Sequence, residues 1–219
     1  MQILDPIGNP ASGDWILIQP VDVHDQGMLP REDEQIRALL SDECFALIPV
    51  KVDWFQELTP WTAPAAFRGQ PDFGDGAEKT LQVIQESIVE EQRGKKFILG
   101  GYSLAGLFAL WAGYQTDVFD GIVAASPSVW YPRWDEYIAN HRMKARNVYL
   151  SLGDREERTK NPVMRTVGDR IREQYRVLES QGIRSTLTWN EGNHFMDPEI
   201  RTAAGFAWVM KGKSTNGSA

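Results

Sequence analysis

The 219-residue chain is 42% hydrophobic and 24% charged, an ordinary globular composition long enough for one substantial core and short for two. A formal net charge of -7 with no basic run excludes nucleic acid as the expected partner, because that binding depends on Lys and Arg neutralising phosphates. The single cysteine, Cys44, excludes an intramolecular disulfide and a cysteine-based zinc site, and fits a reducing compartment.

The N-terminus has no basic segment followed by an apolar one, so no signal peptide is expected. No apolar run approaches the roughly 18 residues of a membrane span. The reading is a cytoplasmic chain with no membrane partner, and oligomeric state is not legible. Along the chain, short apolar runs at 15–19, 45–52, 96–100, 121–125, 147–152 and 185–189 predict strands buried on both faces. Helices are expected between them, at about 31–41, 104–115, 133–142 and 198–211. A further helix carries Leu81, Ile84 and Ile88, after the Gly74-Asp75-Gly76 start. Another carries Met164, Val167, Ile171, Tyr175 and Leu178, with Asn161 as N-cap, Pro162 at the first helical position and Gly182 as the stop. The alternation predicts a three-layer α/β domain over 1–210, with a mostly parallel sheet of about six strands covered by helices on both faces. Residues 211–219 are polar and small and read as a flexible tail.

In an open parallel sheet, chemistry gathers at the carboxyl ends of the strands. The third predicted strand runs into Gly101-Tyr102-Ser103-Leu104-Ala105-Gly106 and then an apolar helix. A serine on such a strand–turn–helix elbow is strained, and small residues must flank it at two positions either side, as Gly101 and Ala105 do. Ser103 is the candidate nucleophile. It needs a base, and His194 follows the last strand, giving the chain order serine, acid, histidine. His24 breaks that order and His141 lies in a polar helix end. The acid is expected after the preceding strand, where Glu156 is favoured over Asp154, with Glu157 third. The amide of Leu104 is the first expected oxyanion donor. The second is sought at Val21 or Asp22, because Pro20 has no N–H.

Tryptophan is abundant, at eight residues, and several cluster after strand ends. Trp54 and Trp61 lie in the long loop 53–76, a candidate lid or pocket wall, and Trp130 follows the fourth strand. With Tyr102 they are the expected substrate pocket. Acidity and aromatics together give a slight preference for a neutral or hydrophobic ester. The histidines show no metal-ligand spacing, so neither metal nor organic cofactor is expected.

The elbow, then Ala124-Ala125-Ser126-Pro127-Ser128-Val129-Trp130, then Gly153-Asp154-Arg155-Glu156, then Gly192-Asn193-His194-Phe195, resembles the esterase D and enterochelin-esterase-like group of α/β hydrolases over about residues 95–210. The resemblance implies an α/β-hydrolase fold and hydrolysis of small-molecule carboxylic esters through a covalent acyl-enzyme. It also implies that Ser103, Glu156 and His194 are the catalytic serine, acid and base. A thioesterase, deacetylase or acyltransferase on the same residues, or a binding protein that keeps the fold, are the alternatives. Two features depart from the group: the opening antiparallel strands are largely missing, and the segment 19–25 lacks a His-Gly-Gly oxyanion loop.

Overall fold

The structure, a computed structural model, describes residues 1–40, 44–66 and 68–212. A seven-stranded sheet forms its centre: β1 (Gln2–Ile3), β2 (Trp15–Val21), β3 (Phe45–Lys51), β4 (Lys96–Tyr102), β5 (Gly121–Ala125), β6 (Asn147–Gly153) and β7 (Arg184–Asn190). The spatial order is β1-β3-β2-β4-β5-β6-β7, with every neighbouring pair parallel except β1 on β3. The expected six strands are all present and gain one, because β1 is too short to carry an apolar pattern. It is tied down by Leu4 N–H donating to Pro49 O and by the Ile7–Leu47 bridge, so the opening antiparallel region is reduced rather than absent.

Strands β2 to β6 are apolar along their length because both faces are covered. One face packs against α1 (Leu29–Leu39) and α6 (Pro198–Lys211), through Leu29, Ile36, Phe206 and Met210. The other carries α2 (Ala77–Ile84, continued by a π turn over Gln85–Val89), α3 (Leu104–Gln115), α4 (Trp134–Asn140) and α5 (Val167–Ser180). Every residue of α3 from Leu104 to Tyr114 is buried, which is why its sequence is apolar all round. Strand β7 corrects the expectation of burial on both faces. It is the sheet edge, only partly covered, and Trp189 is exposed.

Asn161 Oδ1 accepts from the amides of Val163 and Met164, but the helical turn starts later than expected: Val163 is the residue that precedes it, and Pro162 lies outside the helix. The first turn, however, tightens to a 3-10 turn over Met164–Thr166 before α5 begins. Lys211 closes α6, and the rest of the expected tail, 213–219, lies outside the described residues.

Two features of the frame position chemistry. Strands β2 and β4 pair only as far as Ile18 and Leu99, and the chain winds outward in opposite directions from these two strands. A crevice therefore opens at their carboxyl ends, the switch point where such sheets bind ligands. On the opposite face, α6 lies close to the sheet because Gly205 has no side chain: a Cβ there would meet Val123 Cγ1 at 2.3 Å. One turn earlier on the same stripe, Arg201 is thereby carried under the loops that follow β5, β6 and β7.

Candidate active site

Ser103 links β4 to α3 with φ 56° and ψ -118°, a conformation rare for any residue with a side chain and costing about 1–3 kcal/mol. The surroundings impose it. Its N–H donates to Ala125 O at 3.1 Å, while its carbonyl accepts from Leu107 and Ser128, each at 3.0 Å. A Cβ at Gly101 would meet that of Ala105 at 2.5 Å, so the elbow tolerates one methyl group across this contact and not two.

His194 and Glu156 converge on the serine. Glu156 Oε2 lies 2.7 Å from His194 Nδ1, and His194 Nε2 lies 3.1 Å from Ser103 Oγ. The Glu156 side chain is 3% exposed and that of His194 21%. Burial alone would push the Glu156 carboxyl up. The hydrogen bond and charge of His194, then the Ser126 hydroxyl and the Gly153 amide, outweigh it and hold the group below the usual carboxylate range. An ionised carboxylate only accepts hydrogen bonds, so Nδ1 carries the imidazole proton. That leaves the Nε2 lone pair facing Ser103, whose hydroxyl donates to it.

The other carboxylates of this loop do different work. Asp154 Oδ1 accepts the Gly192 amide at 2.8 Å and fastens the histidine loop, while Glu157 pairs with Arg172 at 3.3 Å. His24 and His141 stand apart, in exposed positions, and His141 stacks on Tyr137.

Leu104 borders the cavity and opens α3, so its N–H has no partner within the helix. Val21 and Asp22 do not border it. The Asp22 amide donates to Asp25 Oδ2 at 3.3 Å, and Asp22 Oδ1 accepts from His24 and Asp25 in a tight turn. The expected second donor is thus turned into its own loop.

The cavity over Ser103 holds about 570 Å3, a volume suited to a drug-sized molecule. Trp54 and Trp130 border it, together with Phe55 and Phe73, so part of the loop 53–76 forms a wall. Two expected pocket residues do not border it. Trp61 packs with Tyr131, Trp134 and Tyr137, its Nε1–H donating to Pro132 O at 2.9 Å. Tyr102 points behind the histidine, its hydroxyl donating to His194 O at 2.8 Å, and burial pushes its phenol up to about 12. Clustering after strand ends identified aromatic packing as readily as cavity lining, since both occur at that edge of the sheet.

Three residues without an assigned role in the sequence complete the site. Arg201, 3% exposed, reaches Glu156 Oε1 at 3.0 Å, Ser126 Oγ at 3.2 Å and Tyr102 Oη at 3.1 Å. Its second terminal nitrogen donates to the carbonyls of Glu191 and Asn193, at 3.0 and 3.1 Å. One guanidinium therefore neutralises the acid and pins both sides of the histidine loop. Arg201, Gly205 and Val209 share the buried stripe of α6, so a charge at a core-facing helical position was the available signal. Ser126, at φ 43°, donates to Glu156 Oε1 at 2.7 Å. Ser128, almost fully buried, places its hydroxyl 3.3 Å from Ser103 Oγ.

No family model and no curated protein matches this sequence. Solved structures do. The chain is similar to the siderophore hydrolase EstA of Aspergillus nidulans, with TM-score 0.66 and 20% identity over 91% of this chain and 83% of that one. It is similar to a Bacillus cereus carboxylesterase, with TM-score 0.60 and 16% identity over 96% and 94%. A third, the enterochelin esterase of Shigella flexneri, gives TM-score 0.63 and 15% identity, and there the chain spans 54% of the longer protein. These likenesses and the sheet order show an α/β-hydrolase fold. No helix among the described residues is long and apolar enough to cross a membrane.

Proposed function

We propose that the chain is a serine hydrolase that cleaves carboxylic esters through an acyl-enzyme. The observation that carries this is the relay at 2.7 and 3.1 Å from Glu156 through His194 to a strained Ser103 beneath a cavity. The names of the similar structures, two esterases and a siderophore hydrolase, support ester substrates of small-molecule size.

A serine hydroxyl is a weak nucleophile until a base removes its proton as it attacks. In this reading His194 Nε2 takes the Ser103 proton while Oγ bonds the ester carbon. Glu156 holds the ring in the correct tautomer and stabilises the imidazolium without taking a proton itself. The Leu104 N–H, at the positive end of α3, faces the negative charge developing on the carbonyl oxygen. The imidazolium then protonates the departing alkoxide, which leaves as the alcohol. Water adds to the acyl carbon with His194 again as base, releasing the carboxylic acid and restoring Ser103. Ser128 fits this sequence as a hydrogen-bond donor to Ser103 Oγ, since the serine's own proton is directed to His194.

Turnover of short p-nitrophenyl esters by the wild type, Ser103→Ala and His194→Ala tests the reading. The expected result is steady hydrolysis by the wild type, with each variant reduced by roughly 10³-fold or more. Equal rates from wild type and Ser103→Ala would rule it out.

A further inference from the structure

The charge inside the cavity is opposite in sign to the charge of the chain. The protein carries a formal net charge of -7, yet Arg155, Arg158, Glu156 and His194 are the only Asp, Glu, Lys, Arg or His side chains among the described residues that border the cavity. Glu156 is withdrawn from any ligand, because Ser126, Gly153, His194 and Arg201 already hold its two oxygens. What a ligand meets is cationic.

Neither arginine is committed elsewhere. Arg155 lies 3.7 Å from Asp154 and 4.0 Å from Glu191, both long contacts between exposed side chains. Arg158 makes no ion pair among the described residues. The remaining wall is aromatic, with Trp54, Phe73 and Trp130 on one part and Phe195, 87% exposed, beside the histidine. A planar guanidinium fork matches the two oxygens of a carboxylate, and an aromatic wall favours a flat apolar body.

Resting on the ester-hydrolase reading, we propose that the substrate is an ester with an aromatic or bulky apolar body and an anionic group. Arg158 and Arg155 engage the anion, a carboxylate or a comparable oxyanion, while Trp54, Phe73 and Trp130 take the body. Whole-chain acidity points instead to a neutral ester, but net charge is an average over the surface, and a cavity presents only its own lining.

Two matched ester pairs test this. In one the charge is on the alcohol part, 4-acetoxybenzoate against 4-acetoxybenzamide. In the other it is on the acyl part, 4-nitrophenyl hydrogen glutarate against 4-nitrophenyl hexanoate. Rates are normalised to hydroxide-catalysed hydrolysis, and a charge-assisted hydrogen bond corresponds to about tenfold or more in kcat/KM. The expected result is a preference of that size for the anionic member of at least one pair, collapsing towards unity in Arg155→Gln/Arg158→Gln and weakening with added salt. The proposal is overturned if the neutral member is preferred in both pairs, or if the preference survives the double substitution. It is also overturned if the protein reacts with a fluorophosphonate at Ser103 yet hydrolyses neither anionic ester. A protein that neither hydrolyses any of the four nor reacts with the fluorophosphonate contradicts the underlying hydrolase reading instead.

Discussion

Replacing Arg201 with Met removes one side chain and should loosen the whole relay. Methionine keeps most of the aliphatic volume of a residue that is 3% exposed, so the change isolates the guanidinium from the packing. What it leaves behind is a Glu156 carboxylate, also 3% exposed, with His194 as its remaining ionisable partner, and the carbonyls of Glu191 and Asn193 without this donor. Removing one partner of a buried ion pair typically costs about 3–5 kcal/mol. At about 2–4 °C per kcal/mol for a chain of this size, Tm should fall by about 6–20 °C. Glu156 now has its pKa held down, so its stabilising contribution is present above its unfolded value and disappears as pH falls through the folded one. Loss of the cation 3.0 Å from Oε1 favours the neutral carboxyl, which holds the His194 ring less firmly, so activity should be lost earlier on acidification and the acid limb of the pH–rate profile should move to higher pH. Arg201→Lys should recover part of both effects, since it restores charge without the fork. Thermal unfolding monitored by circular dichroism, paired with kcat/KM against pH, reads both. A variant with Tm within 2 °C of wild type and an unmoved acid limb would refute a positioning role for Arg201.

Ser128→Ala removes the hydroxyl 3.3 Å from Ser103 Oγ and should lower kcat by roughly tenfold with little change in KM. Burst kinetics that match wild type would show that the hydroxyl is not used. Glu32 is buried beside Gln19, and burial, partly offset by the Gln19 hydrogen bond, raises its pKa from 4.5 to about 8, with Asp25 and Glu199 adding to the rise. Between those two pH values the folded chain keeps a proton that the unfolded chain releases, so stability falls as pH rises across that window. Glu32→Gln should therefore raise Tm more at pH 8.5 than at pH 5 in paired scanning calorimetry, and an equal shift at both would contradict a buried neutral Glu32.

Elements with a strong local signal were legible in the sequence. Strands β2 to β6 announce themselves by unbroken apolar runs, and the elbow by Gly101, Ser103 and Ala105 between a strand and an apolar helix. Chain order then selected His194 from three histidines, and the structure brings it, Ser103 and Glu156 together. Where one residue of slack existed, sequence could only rank: Asp154 and Glu156 differ in which way the turn after β6 swings, a matter of backbone bonds to Gly192 and Asn190. Val21 and Asp22 illustrate the opposite limit. Val21 ends β2 and Asp22 follows it, but Asp25 folds the loop back on itself, and no local pattern shows which amide a short loop leaves free. Trp61 and Tyr102 were misplaced because adjacency to a strand end does not fix the direction of a side chain. Arg201 is hidden for a related reason, since its partners lie 45, 75 and 99 residues away in the chain.

The most direct test of the central reading is covalent. Incubation with a fluorophosphonate followed by intact-mass and peptide analysis should show one adduct per chain, located on Ser103. Labelling should be abolished in Ser103→Ala and strongly slowed in His194→Ala. An unlabelled wild type, or an adduct that persists in Ser103→Ala, would contradict the account.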